Sequence, residues 1–271
     1  KAGQFWLFFF PSLTAMVGFW ATLSLNIPDF SRYAKSQRDQ IAGQILGLPT
    51  TMALYSFIGV AVTSATVIIF GKTIWDPVQL LGMFQNKVAV TIAMLSIAVA
   101  TLATNIAANV VSPANDFSHL WPKVISFRTG GFITGIIGVV MMPWKLIADP
   151  HGYIFTWLIA YSALLGAVGG ILICDYFLLR RTRLNLDDLF NPTGSYSYTH
   201  GINYRAVAAL IIAIAPCAPG FLHTVNLIPS IPVIWDRIYT YAWFVTFALA
   251  FVIYAALMAG QSRIAPTNSD R

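Results

Sequence analysis

Seven apolar runs, each near the length that crosses a bilayer, constrain this chain more than any other feature. They lie at about 4–27, 45–70, 88–111, 131–148, 152–176, 204–222 and 238–259. A hydrocarbon core about 30 Å thick takes roughly 20 helical residues to cross. Backbone groups find no water there and must pair within their own segment. The pattern therefore predicts an all-α polytopic membrane protein. The fourth run is short, and the sixth is interrupted by Pro216 and Pro219. The stretch 75–86 reads as a short helix lying across the outer surface. Charged residues make up only 10% of the chain. A soluble domain carries about 25%, which sets that class aside.

The connecting loops orient the spans. The loops 28–44, 112–130, 177–205 and 260–271 hold eleven Lys or Arg residues, and the opposite side holds five. The positive-inside bias makes the first side cytoplasmic. The basic residues sit in short loops and form no nucleic-acid face. Seven spans then put Lys1 outside and the C-terminus inside. The run from Gln4 has no cleavage-site pattern, so it reads as a span rather than a signal peptide. An outside start of this kind implies upstream helices. Cys174 and Cys217 lie in apolar runs and predict neither a disulfide nor a metal site. Gly43/Gly47, Gly131/Gly135 and Gly166/Gly170 fit GxxxG and predict close helix packing.

The third span carries LSIAVATLATNIAANVVSPAND at 95–116. On a helix, Leu95, Val99, Leu102, Ile106 and Val110 share a bulky face. Ser96, Ala100, Ala103, Thr104, Ala107 and Ala108 form a small-residue face, with Thr101, Asn105, Asn109 and Ser112 beside it. An unpartnered amide in lipid costs several kcal/mol, so partners are required. Two readings stand. In one, the asparagines bond across helices. In the other, they line a cavity near the bilayer middle, where an amide's donor and acceptor match the N–H and C=O edge of a planar amide or ureide ring. Thr104 and the Ala100 carbonyl, four residues apart, could face a small hard cation. In the first span Gly18 loosens the helix beyond Pro11. Trp20 is either a lipid-facing aromatic or a stacking surface beside an opened helix, a device of secondary transporters.

LNIPDFSRYAKSQRDQ at 25–40, TNIAANVVSPAND at 104–116 and DYFLLRR at 175–181 occur in order along the chain. Together they strongly resemble the nucleobase–cation symporter-1 family of uracil, allantoin, hydantoin and cytosine permeases. The resemblance implies a twelve-span fold whose first ten spans form two inverted five-helix repeats. The chain resembles spans six to twelve. Residues 1–176 would then be the second repeat, 177–203 a cytoplasmic loop, and 204–271 two peripheral spans and a tail. It implies that Trp20, with Gly18 and Phe19 beside it, packs on the substrate ring and that Asn109 bonds the ring. Ala100, Ala103 and Thr104 match a sodium site built from a carbonyl and two hydroxyls. Ala103 departs from it by lacking the hydroxyl, so the coupling ion is sodium or a proton. The five upstream spans would supply the remaining cation carbonyls, a second aromatic and another amide for the ring.

The expected function is thus a secondary transporter in the cell membrane, importing a small planar heterocycle with a cation and no cofactor. The competing reading is a transport-inactive scaffold or assembly subunit of the same fold. No nucleophile–base cluster suggests an enzyme. Asp29 and Arg32 form either an inner gate or a plain cap or loop ion pair. Asp175 with Arg180 and Arg181 reads as structural, the arginines snorkelling to the interface. His119, His151, His200 and His223 fall near span ends and suggest no proton relay.

Overall fold

The computed structural model describes residues 3–149, 152–189, 191 and 193–259. Helices dominate, and the described residues contain no strand, only an isolated antiparallel bridge between Thr199 and Ile202. The chain divides into two compact units, Lys1–Leu25 with Met142–Arg271, and Asn26–Met141.

In the first unit, α1 (Phe5–Leu25) is helical throughout, across both Pro11 and Gly18. The opened helix, one of the two readings of this stretch, is not formed. Gly18 is instead the point where α1 meets its neighbour. A Cβ there would lie 2.6 Å from the Leu158 carbonyl oxygen and 2.8 Å from Ser162 Cβ. That neighbour is one long helix built from a π turn at Tyr153–Leu158, α9 (Ile159–Ile173) and a second π turn at Cys174–Leu179. The unit continues with the short α10 (Leu186–Leu189), α11 (Tyr204–Ile214), a 3₁₀ turn at Ala215–Cys217 and α12 (Ala218–Thr224). It closes with α13 (Val233–Thr240) and α14 (Ala242–Met258), bent by 86° where Tyr241 leaves the helical region.

Small residues let these helices approach. Gly166 and Gly170 of α9 lie against the Trp243–Phe247 backbone of α14, and Ala167, Ala213 and Ala250 form a core patch beside them. In lipid, helix association rests on such packing, since the tails are as apolar as the side chains.

The second unit holds α2 (Pro28–Ser31), α3 (Gln37–Phe70), α4 (Pro77–Leu81), α5 (Lys87–Asn109), α6 (Val111–Leu120) and α7 (Phe127–Val140). The helix α3 starts eight residues before the apolar run, because Ser36 caps it by accepting from Asp39 N at 3.1 Å. Hydropathy does not register a polar first turn that stands outside the hydrocarbon. Gly130 of α7 packs on Ala114 of α6, where a Cβ would lie 2.7 Å from the Ala114 carbonyl oxygen.

Among the described residues, five helices are long and apolar enough to cross a membrane, six if the bent pair forms one span. Seven were expected. The fourth run is split between the short α8 (Pro143–Ile147) and α7, which has only 14 residues. The helix α7 stops because Met142 turns to φ +48° before Pro143, whose ring disfavours a helical residue ahead of it.

Candidate functional site

The polar stripe of the third run lies on α5 in the second unit. Asn109 is the last residue of α5, and Val110 at φ −114° joins it to α6. Asn109 Nδ2 donates to Asn105 Oδ1 at 2.6 Å. Residues four apart are neighbours on a helix, so the two amides meet without any second element. Asn105, for which a bond across helices was one of the two readings, here bonds along its own helix. This uses one N–H of Asn109 and leaves the other, with its carbonyl oxygen, directed away from the bond. Both asparagines are exposed, as are Ala100, Ala103 and Thr104 one to two turns earlier. Ser112 in α6 is buried, and its hydroxyl has no hydrogen-bond partner among the described residues.

The aromatic pair lies on α1 in the first unit. The Phe19 and Trp20 rings meet edge to face with centroids 5.4 Å apart. Phe19 is exposed, Trp20 is half-buried, and Gly18 is buried against Leu158 and Ser162. Gly18, next to the pair, lets α1 lie close to the neighbouring helix.

The proposed gate residues do not pair. Asp29 Oδ1 accepts from Asn115 Nδ2 at 2.9 Å, while the Arg32 guanidinium lies 5.1 Å from the Tyr33 ring centre. An Asp29–Arg32 ion pair is absent among the described residues. Asn115, which the sequence reading passed over, links the first motif to the second within this unit. Its signal was an amide at the end of an otherwise apolar segment.

Asp175 and Arg180 form a tighter cluster than the snorkelling reading foresaw. Arg180 Nε pairs with Asp175 Oδ2, and Arg180 Nη2 donates to Tyr198 Oη at 2.8 Å. The guanidinium lies 4.3 Å from the Tyr196 ring centre. The other Asp175 oxygen accepts from the Tyr254 hydroxyl at 2.9 Å, and Asn203 donates to that hydroxyl at 3.0 Å. Burial works against the Arg180 charge, but Asp175 outweighs it and holds the pKa above the ordinary arginine value. Burial raises the Tyr198 phenol; Arg180 pulls the other way without reversing the shift. Arg181 stands exposed at φ +53°. His223 Nδ1 lies 2.9 Å from Asp236, a pairing that the sequence reading missed across 13 residues. His151 falls outside the described residues.

Long apolar helices, held together by glycine contacts and carrying amides and rings within their length, define an integral membrane protein of transporter architecture. Residues 1–246 match the family of permeases for cytosine/purines, uracil, thiamine and allantoin, and the chain belongs to it. Its members are permeases rather than enzymes. The chain is 48% identical over 264 residues to the purine-uracil permease of Arabidopsis thaliana, covering 97% of itself and 44% of that protein. It is 39% identical over 254 residues to the allantoin permease of Bacillus subtilis, covering 94% and 50%. Among solved structures it is similar to Mhp1, a nucleobase-cation-symport-1 family transporter, in a closed conformation with bromovinylhydantoin bound. The TM-score is 0.70 at 27% identity, over 93% of this chain and 52% of that one. The chain thus spans about half the length of the relatives it matches.

Proposed function

We propose that the chain serves as part of a cation-coupled permease that imports a nucleobase, allantoin, hydantoin or related ureide by alternating access. The observation that carries this reading is the Asn105–Asn109 pair. One amide holds the other so that a donor and an acceptor remain open, the complement of a planar N–H/C=O edge. In this reading Trp20, with Gly18 and Phe19 beside it, stacks on the ring, and Asn109 bonds its edge. Ala100, Ala103 and Thr104 face the coupling ion. The missing hydroxyl at Ala103 favours a proton over sodium. Asp29 and Arg32 gate the inner side, with Asn115 holding Asp29 in the state seen here. Residues 1–176 form the second inverted repeat and 204–271 the two peripheral spans with a cytoplasmic C-terminus. The functions of the relatives support the substrate class.

The test is uptake of labelled uracil, allantoin and hydantoin by cells expressing the intact protein. Trp20→Ala and Asn109→Ala should each abolish uptake of the transported substrate while leaving the protein at the membrane. Normal transport by both variants would refute the site. If the parent protein transports none of the three, the scaffold reading takes over.

A further inference from the structure

The helix Tyr153–Leu179 carries a π turn at each end of α9. Such turns are rare and gather at functional places. Each receives one hydrogen bond from a tyrosine of the last two helices. Tyr239 of α13 donates to the Thr156 carbonyl oxygen at 2.9 Å, in the first turn. Tyr254 of α14 donates to Asp175 Oδ1 at 2.9 Å, in the second. Both tyrosines are buried, 4% and 1% exposed. A buried hydroxyl that lost this bond would keep its desolvation cost, so each bond is worth more than its surface counterpart.

The second turn explains a pairing that an α-helix forbids. Asp175 and Arg180 are five residues apart, which in an α-helix places them about 140° apart around the axis. The π turn closes through Arg180 N donating to Asp175 O at 2.9 Å and brings the two side chains together. The ion pair therefore depends on the π turn. The first turn has no ion pair. Its Thr156 carbonyl accepts from Ile159 N and from Tyr239.

We propose that Tyr239 and Tyr254 are positioning residues. From the peripheral helices they pin the two π turns of Tyr153–Leu179, and so govern turnover without touching substrate. The turnover half of this statement rests on the transport reading above; the pinning half does not.

Tyr239→Phe and Tyr254→Phe in the intact protein test both halves, with the exposed Tyr161→Phe as control. Hydrogen–deuterium exchange should run about fivefold faster around 153–160 in Y239F and around 174–182 in Y254F, each leaving the other turn unchanged. Uptake per surface molecule should show a lower maximal rate at unchanged KM. Unchanged exchange at the adjoining turn, or equal loosening of both turns by either variant, would overturn the pinning. A raised KM, or unaltered uptake despite altered exchange, would overturn the effect on turnover. Should the parent protein transport nothing, the exchange data still decide the pinning.

Discussion

Replacing Gly166 with alanine adds one methyl group where α9 meets α14. The new Cβ would lie 2.6 Å from the Trp243 carbonyl oxygen and 2.6 Å from Thr246 Oγ1. Ordinary contact begins at 3.4 Å, so the helices must part by about 0.8 Å. Parting them also loosens the adjoining Ala167, Ala213 and Ala250 patch. Overpacking of this kind costs about 1–3 kcal/mol. Alanine's better helix propensity returns up to about 1 kcal/mol. Because the obstacle is backbone and cannot rotate away, the upper part of the overpacking range applies, and the balance is a loss of about 1–2 kcal/mol. Adding Thr246→Ala clears the hydroxyl but not the Trp243 carbonyl, so it should restore only part of the loss. Gly170→Ala meets the Phe247 backbone. One parting relieves both contacts, so G166A/G170A should cost less than the two losses added. Thermal unfolding of the purified intact protein in detergent measures each variant beside the parent. G166A matching or exceeding parent stability, or T246A fully rescuing it, would refute the backbone-contact argument.

Three further outcomes follow from the sites. Asn105→Leu removes the bond that orients Asn109, and at about 1 kcal/mol this should raise the substrate KM about fivefold; an unchanged KM counts against the orienting role. Ala103→Ser supplies the missing hydroxyl and should make uptake fall when choline replaces sodium, whereas the parent's uptake should instead fall with a protonophore; a variant indifferent to sodium removes Ala103 from the ion site. Asp175→Asn leaves the Arg180 side chain, 6% exposed, without its counter-charge. A cost of about 3 kcal/mol should then sharply reduce the yield of folded protein, and normal yield with normal thermal stability would show that Arg180 finds another partner.

The apolar helices were legible because hydrocarbon thickness dictates their length. The small-residue motifs were legible only in part. Of the three GxxxG pairs, Gly166/Gly170 packs closely. A Cβ on Gly131 would find only Val110 Cγ1, at 3.7 Å, and one on Gly43, Gly47 or Gly135 nothing within 4 Å. The motif marks where a backbone can come near, while the neighbour that uses it belongs to the fold. The Asn105–Asn109 bond follows from a four-residue spacing, yet the sequence left open whether the two amides bond across helices or line a cavity. Arg180 reads as a snorkelling residue from its place at a span end, because a spacing of five suggests no pairing in an α-helix.

Taken alone, the sequence determined what local rules control: which segments are apolar helices and which side of α5 is polar. It also determined the family, through three ordered motifs. Tertiary structure decided which groups share partners. It kept α1 helical across Gly18, gave Asp29 to Asn115, and placed Tyr239 and Tyr254 on the two π turns. The physical reason is that a helix's existence depends on hydrogen bonds within four residues and on the surrounding hydrocarbon. A partner 79 or 86 residues away is chosen only when the packed helices bring two polar groups within hydrogen-bond distance.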